Sequence, residues 1–361
     1  MVRIHRGRRQ PRPHLGHPRD GRCPDRHGSA CRPGHRRRTL RQVGAGPNAV
    51  NQRAIAAIGN ALLDIKGKAL GVPVYELFGG PNRTRIPVYW SHCGTYRERN
   101  HALLGRAPLC TYDDIAALGA EVKRRGFKAL KTNILPFDGE KLTSFIPGFG
   151  RTPGYPELNC DRHVQQSLRK QLAAFREGAE PDMGLHLDIN YHFKTEGNLQ
   201  VAKVVESFEL TWLEIDTWNP QFLALIWSKA PCQIASLESL TGRRAFRPFL
   251  HAYSTDVAII DVIWNGFRES IKIAAMAEGY EVNVAPHNYY GHLCSAVGAH
   301  FCAVVRNFRV MEIDIDSIAW RDELFINAPL RENGDIVLPE RPGWSVDVNE
   351  AAVRAHPPKG K

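Results

Sequence analysis

Apolar positions along the chain follow two different periods. In AVNQRAIAAIGNALLDIKGKALG (residues 49–71), Ile55, Ile58, Leu62 and Ile65 recur at helical spacing, and Gly71 can end the helix. These four side chains are expected to form its buried stripe. From Arg85 onward, short strand-like runs alternate with helical ones. The strand-like runs are IPVYWS (86–91), FKALKTN (127–133), LHLDIN (185–190), TWLEI (211–215), QIASL (233–237), VAIID (257–261), EVNVA (281–285) and FRVMEI (308–313). Between them lie helical stretches such as DDIAALGAEVKRRG, HVQQSLRKQLAAFREG, NLQVAKVVESFE and FRESIKIAAMAEG. Eight strands alternating with helices over roughly 240 residues predict an α/β fold closed into a TIM-type (β/α) barrel. An open doubly wound sheet is the alternative, but no Gly-rich phosphate loop follows any strand. The Pro/Gly-rich stretch 134–160 is too long for a simple connection and reads as a loop over the barrel mouth. From about Phe325 the chain reads as a small return segment.

Charge changes this picture at one end only. The chain of 361 residues carries a formal +11, yet residues 1–46 hold thirteen Arg, no Lys and two acids, which is +11 by themselves. The remainder has 35 basic and 35 acidic residues and offers no field to steer a polyanion, so no nucleic-acid partner is expected of the body. Residues 1–46 also hold seven Gly, five Pro and five His, with few large apolar residues and no period. Such a segment buries too little apolar surface to offset its ordering entropy, and it is expected to be a disordered extension. Its composition is what a GC-rich gene read in a shifted frame would give. The alternative is a basic arm that binds nucleic acid. Cys23, His27, Cys31 and His35 recur at every fourth residue, but Pro24, Gly28, Pro33 and Gly34 argue against the helix a zinc site would need.

No apolar run approaches the length of a membrane span, and the basic start has no apolar stretch behind it. It also lacks the Ser content of a mitochondrial presequence. The eight Cys show no disulfide framework, so reduced thiols and a cytoplasmic location are the expectation.

A β/α barrel places its active site at the C-terminal ends of the strands. Acids stand there repeatedly: Asp188 in LDIN, Glu214 in WLEIDTW, Glu238 in ASLESL, Asp261 in IIDVIWNG and Glu312 in MEIDID, with His287 ending the seventh strand. One such acid is ordinarily a helix cap. Acids on five of eight strand ends converge, and converging carboxylates repel unless a cation neutralises them. An oxygen-only set suits Mg²⁺. Side chains two apart share a face, so Lys131 and Asn133 are expected to face inward and Lys128 and Leu130 outward. Asn190 shares the inward face with Asp188. Asp216, His92, Asn288 and Tyr289 are weaker pocket candidates, while His186, Trp212 and Trp264 read as packing.

These residues, with the words ALLDIKGKALGVPVYELFGG, GFKALKTN, IASLESLTGRR, APHNYYGHL and RVMEIDID, resemble the mandelate racemase/muconate lactonizing enzyme family of the enolase superfamily over roughly residues 47–355. The resemblance implies Mg²⁺ on Asp188, Glu214 and Glu238, spaced 26 and 24 residues apart. It implies an Asp261–His287 pair for proton transfer and a substrate contact for Glu312. It also implies a capping region, of which 47–84 is a remnant and 325–361 the returning segment, beside a barrel over 85–324. Two departures stand out. Where the family commonly carries Lys-x-Lys on the second strand, this chain has Lys131-Thr132-Asn133, and Asn cannot act as a base. Residues 1–46 look nothing like a capping domain, so the cap is expected to be incomplete. Lys131 is left to bind or act on substrate, with Asn133 and Asn190 beside it.

The expected activity is Mg²⁺-dependent dehydration of a sugar acid. A small carboxylate is the partner, with a homo-oligomer as the expected assembly. A racemase or epimerase using Lys131 as a second base is the first alternative, and a catalytically inactive metal-binding homologue the second.

Overall fold

A computed structural model describes residues 49–145 and 159–357. The expected disorder of 1–46 and the Cys/His spacing within it lie outside the described residues, as do residues 146–158 of the loop assigned to 134–160. Among the described residues no helix is long and apolar enough to cross a membrane.

The chain begins with α1 (Ala49–Leu70), then enters β1 (Arg85–Ser91), α2 (Thr95–Leu104), α3 (Tyr112–Arg124), β2 (Ala129–Thr132) and α4 (Arg162–Ala179). It continues through β3 (Gly184–Asp188), α5 (Thr195–Val205), β4 (Trp212–Glu214), α6 (Pro220–Trp227), β5 (Gln233–Ser236) and α7 (Arg243–His251). The last barrel elements are β6 (Val257–Asp261), α8 (Val262–Asn265), α9 (Phe267–Glu278), β7 (Asn283–His287), α10 (His292–Val304) and β8 (Met311–Asp314). Each strand from β1 to β6 pairs in parallel with the next, and β8 returns to β1 in parallel register. The residues entering β8 bond to β7, with Val284 N–H donating to the Asn307 carbonyl at 2.8 Å and Arg309 N–H to the Val284 carbonyl at 2.9 Å. The predicted (β/α) barrel is therefore the observed fold, and each of the eight predicted strand runs overlaps an observed strand.

Period-2 alternation builds this barrel in layers. Leu185 and Leu187 of β3 join the apolar layer beneath the helices, as do Leu130 and Leu213. Inside, Tyr89, Trp212, Val257, Ile259 and Ala285 plug the barrel. His186 belongs to this plug, stacked on Trp212 at 3.6 Å and edge-on to Tyr89 at 4.8 Å. Two residues beyond Tyr89, His186, Trp212, Ile259 and Ala285, on the same face, stand Ser91, Asp188, Glu214, Asp261 and His287.

The α1 stripe differs from expectation. Ile55 is buried, but Ile58 and Ile65 are 49% and 57% exposed. The buried face instead carries Gln52, Ile55, Ala56, Asn60 and Leu63. Small residues decide this, because backbone approaches backbone: a Cβ at Gly67 would lie 2.8 Å from the Val72 carbonyl, and one at Gly266 3.0 Å from the Ala56 Cα. The chain end returns to this helix. After β9 (Phe325–Ile326) and β10 (Arg331–Glu332), β11 (Asp335–Val337) pairs antiparallel with β1, and β12 (Asp347–Val348) with β9. Trp344 donates from its indole to the Asn60 carbonyl at 3.1 Å, and Lys68 pairs with Asp347 at 2.6 Å. The short α11 (Glu350–Ala355) follows.

Helices α3 and α4 meet at two glycines. A Cβ at Gly178 would lie 1.7 Å from the Ala116 carbonyl oxygen, a contact only backbone movement could relieve. Gly178→Ala is expected to destabilise the barrel by about 1–3 kcal/mol or more. Gly59→Ala, where no atom lies within 4 Å, is expected to stabilise it by about 0.5–1 kcal/mol. Thermal unfolding of the two variants checks this, and equal shifts would contradict the close approach.

Candidate active site

Strand register brings the predicted residues together. Asp188 of β3 lies opposite Glu214 of β4, and Asp261 of β6 opposite His287 of β7. A cavity of about 600 Å³ is lined among others by Lys131, Asn133, Asp188, Asn190, Glu238 and His287, with Glu214 and Asp261 bonded directly behind Lys131 and His287.

Lys131 is the centre of charge. It is only 2% exposed, and its Nζ lies 2.9 Å from Glu312 Oε1, 3.2 Å from both Glu214 oxygens and 3.6 Å from Asp188 Oδ2. Burial alone would lower its pKa, but Glu214, Glu312 and Asp188 outweigh that and hold it well above the usual lysine value. It is an ammonium ion throughout the physiological range.

The acids show the reverse. Burial, joined by repulsion from Asp188 and Glu238, raises Glu214 to about 8 despite the attraction of Lys131. Asp216, buried beside the same three acids, is pushed well above the carboxylate range. The site thus carries more negative charge than Lys131 alone can neutralise. Asp188, Glu214 and Glu238 are hard oxygen donors on adjacent strands, a set that fits a divalent cation such as Mg²⁺. Among the described residues no three side chains already form a ligating cage. Each acid is engaged elsewhere: Glu214 by Lys131, Asp188 Oδ1 by the backbone and side-chain amides of Asn190, and Glu238 by His287 at 3.6 Å.

The dyad is in place. His287 Nδ1 lies 2.8 Å from Asp261 Oδ2, which leaves Nε2 toward Glu238 and the cavity. Asp261 is fully buried and held from two further sides, by the Tyr290 hydroxyl at 2.6 Å and the Trp264 N–H at 2.6 Å. Burial would lower the His287 pKa, but Glu238 and Asp261 raise it to about 10. Glu238 is the largest of the raising influences, so neutralising it brings His287 back toward the range of a base.

Three residues have surroundings that the sequence did not show. Glu312, expected to touch substrate, is fully buried at the end of β8. It accepts from Ser91 Oγ at 2.5 Å, the Asn288 N–H at 2.7 Å and Lys131, so it acts behind the lysine. Asn133 lines the cavity, but its amide donates to the Asp188 carbonyl at 3.0 Å and accepts from Thr95 at 2.9 Å, which makes it a brace for β3. Trp264, expected to be packing, borders the cavity 5.7 Å from the His287 ring, with Arg53 stacked 3.7 Å above it. Ser91 and Tyr290 were not foreseen. Ser91 is in phase with Tyr89 and could have been found by the two-residue period, whereas nothing distinguishes Tyr290 from Tyr289 in the sequence.

Comparison with known proteins identifies the family. Residues 114–352 match the family profile described as enolase C-terminal domain-like. Residues 32–79 match the mandelate racemase/muconate lactonizing enzyme N-terminal domain, a match that starts ahead of the boundary drawn at Pro47 from composition. A magnesium- and fumarate-bound structure from Burkholderia xenovorans strain LB400, described as an L-alanine-DL-glutamate epimerase, is 47% identical. It superposes with a TM-score of 0.85 over 90% of this chain and 80% of its own. The D-xylonate dehydratase of Haloferax volcanii is 25% identical over 89% of this chain and 74% of its own. The D-galactarolactone cycloisomerase of Agrobacterium fabrum is 27% identical over 85% and 75%. The chain belongs to the mandelate racemase/muconate lactonizing enzyme family of the enolase superfamily.

Proposed function

We propose that this chain is a Mg²⁺-dependent dehydratase of a sugar acid. The observation that carries this reading is the asymmetry of its two basic side chains. His287 turns Nε2 toward the cavity, 3.6 Å from Glu238, with Asp261 behind it, and a cation taken up by Glu238 would release that nitrogen to act as a base. Lys131 is locked as an ammonium ion by Glu214, Glu312 and Asp188. Inverting a carbon by moving protons between its two faces wants a base on each. Dehydration needs one.

A proton next to a carboxylate is very weakly acidic, because its loss leaves a dianion. Mg²⁺ held by Asp188, Glu214 and Glu238 would supply the charge that stabilises such a dianion. Lys131 adds fixed positive charge on the same side. His287 Nε2 takes the α-proton, and Asp261 stabilises the resulting imidazolium. The protonated His287 then gives its proton to the β-hydroxyl as the β C–O bond breaks, so water leaves. The enol that remains ketonises at the α-carbon to a 2-keto acid. The dehydratase relatives, including the D-xylonate enzyme, support this reaction type.

The second reading is a racemase or epimerase. It is favoured by the Burkholderia relative described as an epimerase. It would need Lys131 to lose a proton among carboxylates that hold it there.

Sugar acids screened with Mg²⁺ are expected to give a 2-keto product, and His287→Asn to lower turnover by about 10²–10⁴-fold. Unchanged turnover in that variant would remove His287 from the mechanism. Recovery of substrate inverted and deuterated at the α-carbon, with no keto acid, would put the epimerase reading in its place. Calorimetric titration of Mg²⁺ is expected to show weaker binding to Glu214→Gln than to wild type. Equal affinities would exclude Glu214 as a ligand.

A further inference from the structure

The wall of the cavity beside β1 is made by α2. Thr95, Tyr96 and Arg99 all line it, at the i, i+1 and i+4 positions of one helical face. Thr95 is pinned to the site floor by its bond to Asn133 at 2.9 Å. Arg99 follows about 6 Å further along the helix axis, away from that floor.

Two arginines on this helix have opposite surroundings. Arg97 turns into the body of the protein, where Asp316 and Glu121 take its guanidinium at 3.0 and 2.6 Å. Arg99 is exposed at the cavity, and among the described residues no carboxylate pairs with it. Its neighbour Glu98 is engaged by Ser144. The other positive group lining the cavity away from the dyad, Lys131, is bound by three carboxylates. Burial lowers His92 to about 4, so that ring is neutral. The cavity therefore has one end where Lys131 is paired with three carboxylates and, a helical turn away, a guanidinium with no carboxylate partner among the described residues.

We propose that Arg99 reads a second carboxylate on the substrate, so that the site prefers diacids over monoacids of the same chain length. The inference rests on the reading above in placing the first carboxylate at the acid trio and Lys131. A guanidinium presents a planar fork of donors that matches a carboxylate. A monoacid ending in a hydroxymethyl group offers it no charge. A charge-assisted bond of this kind corresponds to a preference of about ten- to a hundredfold.

The test has a binding arm and a turnover arm. In the first, adipate and hexanoate are titrated calorimetrically into the Mg²⁺-loaded protein. Wild type is expected to bind adipate at least about tenfold more tightly, Arg99→Gln to lose that difference, and Arg99→Lys to keep part of it. Equal affinities in wild type, no measurable adipate binding, or a preference that survives Arg99→Gln overturns the proposal. In the second arm, kcat/KM for galactarate is divided by that for galactonate, and the ratio is expected to fall at least about tenfold in Arg99→Gln. An unchanged ratio overturns the proposal. If neither sugar acid is dehydrated but the Arg99-dependent adipate preference holds, the dehydratase reading fails and the diacid inference stands.

Discussion

A buried ammonium ion sets the electrostatics of this barrel. Lys131 rises from β2 into a space walled by carboxylates of β3, β4 and β8, and its Nζ lies within 3.6 Å of all three. A lysine so deeply buried would ordinarily shed its proton, and carboxylates so close would ordinarily take one up. Each tendency is offset by the other's charge. The balance is incomplete, because Glu214 remains raised to about 8 and Asp216 lies well above the carboxylate range. Burial and mutual repulsion thus oppose ionising these acids together, and a divalent cation at Asp188, Glu214 and Glu238 would supply the positive charge that allows it. The same cluster denies Lys131 the role of a base and leaves proton transfer to His287.

The scaffold beneath the site is simple. Successive inward positions of a strand lie two residues apart, so a plug of Tyr89, His186, Trp212, Ile259 and Ala285 carries a second layer of functional side chains directly above it. Parallel register then decides neighbours: Asp188 meets Glu214, and Asp261 meets His287. The loops after β6 and β7 complete the dyad. The Trp264 N–H and the Tyr290 hydroxyl fix Asp261, and Asp261 fixes the imidazole.

Much of this was legible in the sequence because it depends on short-range periods. The eight strands, the strand-end acids and the inward direction of Lys131 follow from two-residue alternation and the rule that barrel sites lie at strand C-termini, whereas the Asp261–His287 pair came from the family resemblance. What failed depended on contacts between distant segments. Ile58 and Ile65 looked like a buried stripe, but the approach of α1 to Gly266 and Gly343 selects the face with Ala56 and Gly67. The partners of Glu312 were equally hidden, since Ser91 of β1 and Asn288 just after β7 bond it beneath Lys131. Nor could spacing show that Arg97 finds two acids and Arg99 none among the described residues, since Glu121 and Asp316 reach that helix from distant parts of the chain.

The account stands or falls on Lys131 as the counter-ion of the site. The direct measurement is the unfolding free energy of Lys131→Met beside wild type, in metal-free buffer and again with saturating Mg²⁺. Removing one partner of a buried charge cluster leaves the others uncompensated. A loss of about 3–5 kcal/mol is therefore expected without metal, with Mg²⁺ restoring part of it. A variant as stable as wild type in metal-free buffer would contradict the account.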